Sequence, residues 1–97
     1  MKIQINFGDV QRSDAVMEHV EEVVNRELKQ FARRITRVEV HLRDDNANKS
    51  GPDDKRCVME ARPAGKDPVK TEARHEDLYR AVKRAAEKLR RVLEKRL

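Results

Sequence analysis

The last twenty residues, LYRAVKRAAEKLRRVLEKRL, place the tightest constraint on the fold. Leu78, Val82, Ala85, Ala86, Leu89, Val92, Leu93 and Leu97 recur at helical spacing, so one face of a long helix is apolar and the rest is charged. That apolar face carries two adjacent alanines at its centre and is shallow, which suits docking on a flat sheet. Asp77 stands where the helix needs its cap.

The segments before this helix supply such a sheet. Residues 2–7, KIQINF, alternate Ile3, Ile5 and Phe7 with Lys2, Gln4 and Asn6, the pattern of a strand with one wet face. Gly8 and Asp9 break it. Ser13 then caps a first helix in which Val16, Val20, Val23, Val24, Leu28 and Phe31 recur to about residue 32. Ile35–Arg43 alternates again through Val38, Val40 and Leu42, with an imperfect phase at its start. Residues 44–54, DDNANKSGPDD, read as a long exposed loop. RCVMEARP is a third strand with Cys57, Met59 and Ala61 on one side, AGKDP a turn, and Val69, Thr71 and Ala73 mark a short fourth strand.

The order β-α-β-β-β-α predicts an α+β fold, a single domain over residues 1–97. A helix between the first two strands allows a parallel pair through a right-handed crossover, and the later strands suit an antiparallel meander. Two helices should cover one face of this four-stranded mixed sheet. The other face, with Lys2, Gln4, Arg56, Glu60, Arg62, Lys70 and Glu72, should lie in water.

Charge says more about partners than about fold. The net charge is +5 and the pI about 9.7, a balance that favours polyanions. It is unevenly spread. Residues 14–27 hold Asp14, Glu18, Glu21, Glu22 and Glu27 against Arg26 alone, whereas residues 80–97 hold eight basic residues against Glu87 and Glu94. At about 100° per residue, Arg80, Arg84, Lys88, Arg91 and Lys95 return to one narrow sector of the last helix. Pairs such as Lys83 with Glu87 and Arg90 with Glu94 explain the charges on the neighbouring line. Along the Arg80–Lys95 line, Glu87 can reach Arg84 or Arg91 and Asp77 can reach Arg80, which leaves five cations with two flanking acids. Such a row is a candidate polyanion site. Membrane binding is disfavoured by the small apolar face and the lack of Trp or Phe anchors, and arginine suits phosphate oxygens. With few exposed aromatics, the contacts expected are to the backbone of structured RNA, from Arg80, Arg84, Lys88, Arg91 and Lys95 and from Arg62 and Lys70 on the wet sheet face.

Other chemistries find little support. His19, His41, His75 and Cys57 are dispersed, without the spacing of a zinc site, and no metal or cofactor is expected. His19 reads as a packed helix residue and Cys57 as a small core residue. The stretch from Asp44 imitates a calcium loop at Asp44, Asn46 and Asn48, but Lys49 stands where the sharp turn wants Gly and Lys55 where a bidentate Glu belongs. No nucleophile motif or Gly-rich phosphate loop is present, so neither an enzyme nor a small-molecule substrate is expected. A lone cysteine and the absence of any apolar run longer than three residues point to a cytoplasmic protein.

The element order, with Asp77, Leu78 and Tyr79 opening the last helix, Ala81 and Val82 after them, and then Lys88, Leu89, Arg91, Leu93 and Lys95, resembles the ribosome hibernation-promoting factor family, also known as alternative-sigma-factor modulation or ribosome-associated inhibitor proteins. TRVEVHLRDDNANKSGPDDKRCVMEAR is similar to a short, single-domain branch of it. The resemblance implies a stress-response factor that binds the small ribosomal subunit where messenger and transfer RNA pass, silencing idle ribosomes, with Lys88, Arg91 and Lys95 against ribosomal RNA. Arg80 and Arg84 extend that set by the geometry of the row. The competing expectation, kept open by the acidic first helix, is a regulatory module for an acidic protein partner. Sedimentation of a stressed-cell lysate separates the two, because only the first travels with ribosomal particles.

Overall fold

The alternation of the first residues produces β1 (Lys2–Asn6), which turns Ile3 and Ile5 toward the core and Lys2, Gln4 and Asn6 to solvent in the computed structural model. The structure describes residues 1–45 and 55–97. β1 pairs in parallel with β2 (Ile35–Asp44), Lys2 opposite Arg37 and Asn6 opposite His41. A parallel neighbour needs a crossover. It begins at Gly8, whose φ of +56° is left-handed and where a Cβ would sit 2.7 Å from the Leu42 carbonyl oxygen, closer than any side chain allows. Asp9 then fastens the turn to the end of β2, its Oδ1 accepting the Asp44 N–H at 2.9 Å. That bond, aided by the nearby arginines, holds the Asp9 carboxyl below the usual carboxylate range.

The crossover helix α1 (Asp14–Glu27) starts where Ser13 Oγ accepts the Val16 N–H at 3.1 Å. The helical period predicted a helix to about residue 32. Instead α1 closes with Leu28 N–H on the Val24 carbonyl, and a single 3₁₀ turn, Lys29–Phe31, follows. Residues i and i+3 align in a 3₁₀ turn, so tightening the chain here brings Leu28 and Phe31 into the core together.

β2 pairs antiparallel with β3 (Lys55–Pro63), and β3 with β4 (Val69–His75), giving the sheet order β1-β2-β3-β4. The imperfect phase at the start of β2 is a register shift between Ile35 and Arg37, which lets Ile35 and Val38 both be buried. One sheet face buries Val38, Val40, Leu42, Cys57, Met59, Ala61, Val69 and Ala73. The strands end one residue from their expected limits at three points, at Asn6, Asp44 and Lys55. Of the calcium-loop candidate only Asp44, Asp45 and Lys55 are described; its residues 46–54 lie outside the described residues.

The last helix, α2 (Leu78–Arg96), is capped by Asp77, whose Oδ1 accepts the Tyr79 N–H at 2.9 Å. It lies across β3 and β4 with α1 beside it. Ala81, Val82, Ala85, Ala86, Leu89 and Leu93 are buried, and the alanines let the helix approach closely enough for Thr71 Oγ1 to donate to the Ala85 carbonyl at 2.9 Å. Leu78, Val92 and Leu97 are half-buried at the rim. Both helices thus cover one sheet face, as the order of elements predicts.

Cys57 is enclosed in this core, and burial pushes its thiol up to about 12. The thiolate is the reactive form. A disulfide-exchange reagent at neutral pH should therefore leave native protein unlabelled for as long as it stays folded and modify it at once in denaturant. Rapid labelling of the native state would contradict this packing. Among the described residues no helix is long and apolar enough to cross a membrane.

Candidate nucleic-acid interface

Docking α2 by its alanine face fixes where its charges go. The buried line turns the opposite flanks of the helix outward, one toward α1 and one toward the free edge of β4. On the α1 side the acids find their partners. Arg90 Nη1 lies 3.0 Å from Glu27 Oε1, whose side chain is only 10% exposed, and Arg90 Nε lies 4.0 Å from Glu94. Gln30 Nε2 donates to Glu94 Oε2 at 3.4 Å. The predicted pair of Arg90 with Glu94 forms, whereas among the described residues Lys83 and Glu87 make no ion pair.

The other flank carries the row. Arg80, Arg84, Lys88, Arg91 and Lys95 are all exposed. Arg80 lies 3.8 Å from the Asp77 carboxylate, a long contact at the surface with the arginine side chain 69% exposed. Lys88 Nζ donates to the backbone carbonyl of Glu72 at 2.8 Å, which ties the row to the edge strand β4. Arg84, Arg91 and Lys95 form no ion pair or hydrogen bond among the described residues, and Glu87 reaches neither Arg84 nor Arg91. Three i,i+4 pairs of like charge along this line cost about 0.2–0.5 kcal/mol each. A polyanion laid along the row would relieve that repulsion, and the packed helix fixes the backbone positions from which the cations extend.

Arg62 and Lys70 stand elsewhere. Alternation along β3 and β4 puts them on the sheet face away from α2, so the structure does not bring them together with the row. Arg62 is held between carboxylates, Nε 3.1 Å from Glu39 and Nη2 3.0 Å from Glu60. Lys70 is exposed without an ion pair among the described residues. Three arginines of that face are similarly engaged, Arg37 with Glu39 at 3.1 Å, Arg56 with Glu72 at 3.2 Å, and Arg74 with Asp45 at 2.8 Å, whereas Lys2 has no ion pair among the described residues. One face of the molecule is laced with ion pairs while the α2 flank is not.

The sequence reading passed over an aromatic corner at the start of α2. Tyr79 is 43% exposed, and the His19 ring meets it at 4.4 Å between centroids and 79° between planes. His19 Nε2 lies 3.3 Å from the Tyr79 carbonyl oxygen. With Arg80, Lys83, Arg84 and Glu87 these rings line a groove of about 550 Å³. The available signal was that Tyr79 falls outside the apolar stripe; its partner lies sixty positions away in sequence. On α1, Asp14, Glu18, Glu21 and Glu22 are exposed, so the acidic surface of the sequence is an acidic surface of the fold. Among the described residues no three His, Cys, Asp or Glu side chains are grouped to hold a metal ion.

Residues 3–97 match the family described as sigma 54 modulation protein / S30EA ribosomal protein. No curated protein matches the chain. Among solved structures, a ribosomal subunit interface protein from Coxiella burnetii superposes with a TM-score of 0.83 at 21% identity, over 99% of this chain and 97% of that one. The N-terminal domain of Protein Y from Thermus thermophilus superposes with a TM-score of 0.81 at 22% identity, over the whole of both chains. At these identities the likeness is one of fold.

Proposed function

Because the chain belongs to the sigma 54 modulation protein / S30EA ribosomal protein family, we propose that it is a ribosome-associated factor that binds RNA of the small subunit through the α2 row and silences translation by occupying the path of messenger and transfer RNA. It acts as one domain in the cytoplasm, by shape and charge and without a chemical step. The reading rests on one observation above others: the cations on the β4 side of α2 stand exposed and free of carboxylate neutralisation, Arg80 excepted, while the acids of the same helix are turned to α1 or left apart. The likeness to a ribosomal subunit interface protein supports the choice of partner.

Mechanistically, Arg84 and Arg91 offer planar forks to phosphate oxygens, and Lys88 and Lys95 add point charges. Lys88 keeps its bond to Glu72 O and can still present its remaining donors outward. The test is ribosome pelleting across a salt series. Each neutralised phosphate contributes about −0.7 to −0.9 to the slope of log affinity against log salt, so engagement of the whole row gives a slope of roughly −4. An affinity that does not change with salt would refute the proposal.

A further inference from the structure

The aromatic corner is not needed by a row that reads phosphates alone. Tyr79 is the one large apolar side chain left exposed among the described residues, and it stands at the mouth of a groove lined also by Arg80, Lys83 and Arg84, with Asp77 and Glu87 among them. The residue is 43% exposed, with His19 packed against its ring. Its orientation is nevertheless fixed, because His19 braces it nearly at right angles and the helix cap at Asp77 holds its backbone. A fixed, exposed ring beside arginines is the arrangement that holds an unstacked base and the phosphate attached to it.

We infer that the groove between Tyr79, His19, Arg80 and Arg84 is a seat for one unpaired nucleotide, with its base stacked in the Tyr79–His19 corner and its phosphate on Arg80 and Arg84. The volume of about 550 Å³ lies within the ~300–1,000 Å³ range of small-ligand sites. Glu87, half-buried at the groove wall and in no ion pair among the described residues, is an acceptor placed for a ribose hydroxyl or an exocyclic amine. Asp77 does not oppose the phosphate fully, since its carboxylate already accepts the Tyr79 N–H and neighbours Arg80. Lys83 adds a further cation at the rim. Recognition of this kind tolerates any base, because every base has a face to stack. The inference rests on the reading of the α2 row as an RNA surface, and it adds to that surface a point where a single-stranded residue is distinguished from a duplex.

The chain provides its own reporter: Tyr79 is the only tyrosine and there is no tryptophan, so ultraviolet-excited emission comes from the seat itself. A short unstructured oligoribonucleotide should quench that emission as it saturates. An abasic oligomer of equal length and charge should bind more weakly and leave the emission unchanged. Tyr79→Phe should keep the affinity for the base-bearing oligomer, whereas Tyr79→Leu should lower it about tenfold or more without altering affinity for the abasic one. His19→Ala, which removes the brace and keeps the tyrosine, should lower both the affinity and the depth of quenching. A free nucleoside monophosphate gives the remaining arm. Quenching at a concentration similar to that of the oligomer assigns the seat to free nucleotides, and quenching by the oligomer alone assigns it to a strand. Binding of both oligomers with equal affinity and undisturbed emission would overturn the seat and leave the row standing. Failure of the native protein to bind either oligomer would overturn both.

Discussion

Replacing Arg84, Lys88 and Arg91 together by Glu is expected to remove the protein from the ribosome pellet while moving the thermal midpoint by only a few degrees. All three side chains are exposed, and among the described residues neither arginine makes an ion pair or hydrogen bond that its loss would break. Lys88 gives up one surface hydrogen bond to Glu72 O, a loss of about 0.5–1.5 kcal/mol. Part of that is recovered, because Glu at positions 84 and 91 would lie four residues from Arg80 and Lys95, where opposite charges stabilise a helix by about 0.2–0.5 kcal/mol per pair. Binding has no such compensation. Removing three phosphate contacts lowers the salt slope by about 2 to 2.7 units, which at roughly 0.1 M salt corresponds to a loss of about 100- to 500-fold from counterion release alone. Three carboxylates facing phosphates then add repulsion. Pelleting and a melting curve on the same preparation check both halves, and retained pelleting by a folded triple variant would remove the row from the account.

The surface that this experiment targets was legible before any coordinates, and the reason is periodicity. A helix of nineteen residues repeats its angular sectors often enough that both the buried alanine line and the cationic line can be drawn from spacing. The strands were legible for the same reason, since Cys57, Met59 and Ala61 alternate and are all fully buried. What escaped was set by contacts between distant parts of the chain. The helical period continued past Glu27 in sequence, yet Leu28 and Phe31 reach the core by a 3₁₀ turn because the crossover has to descend to β2 at Ile35. Glu87 had cations within helical reach and pairs with none among the described residues. Parity placed Arg62 and Lys70 on the wet face correctly, but could not tell that Glu39 and Glu60 would close on Arg62 across the strands. The His19–Tyr79 corner joins the two helices and leaves no trace in either one alone.

A complementary substitution separates the core of α2 from its surface. Leu89→Ala, on the buried line, is expected to cost about 3 kcal/mol, within the ~2–5 kcal/mol typical of removing a fully enclosed leucine. For a domain of this size, with a total stability on the order of 5–15 kcal/mol, that should lower the thermal midpoint by roughly 10–20 °C. The void would open between α2 and the sheet, on the far side of the helix from Arg84, Lys88 and Arg91. The row is held by the helix backbone and by Lys88 on Glu72 O, neither of which the truncation removes. Ribosome affinity measured well below the lowered midpoint should therefore stay within about twofold of the native value, since only a small fraction of the chain is unfolded there. The two variants also differ in how ligand feeds back on stability. Whatever binds only the native state raises its stability by RT ln(1 + [L]/Kd), so RNA that occupies the row should lift the midpoint of Leu89→Ala and leave that of the triple variant where it is. If Leu89→Ala instead lost the ribosome as completely as the triple variant at a temperature where its circular dichroism remained native, binding would depend on the packing beneath α2 and not on the charges arrayed above it.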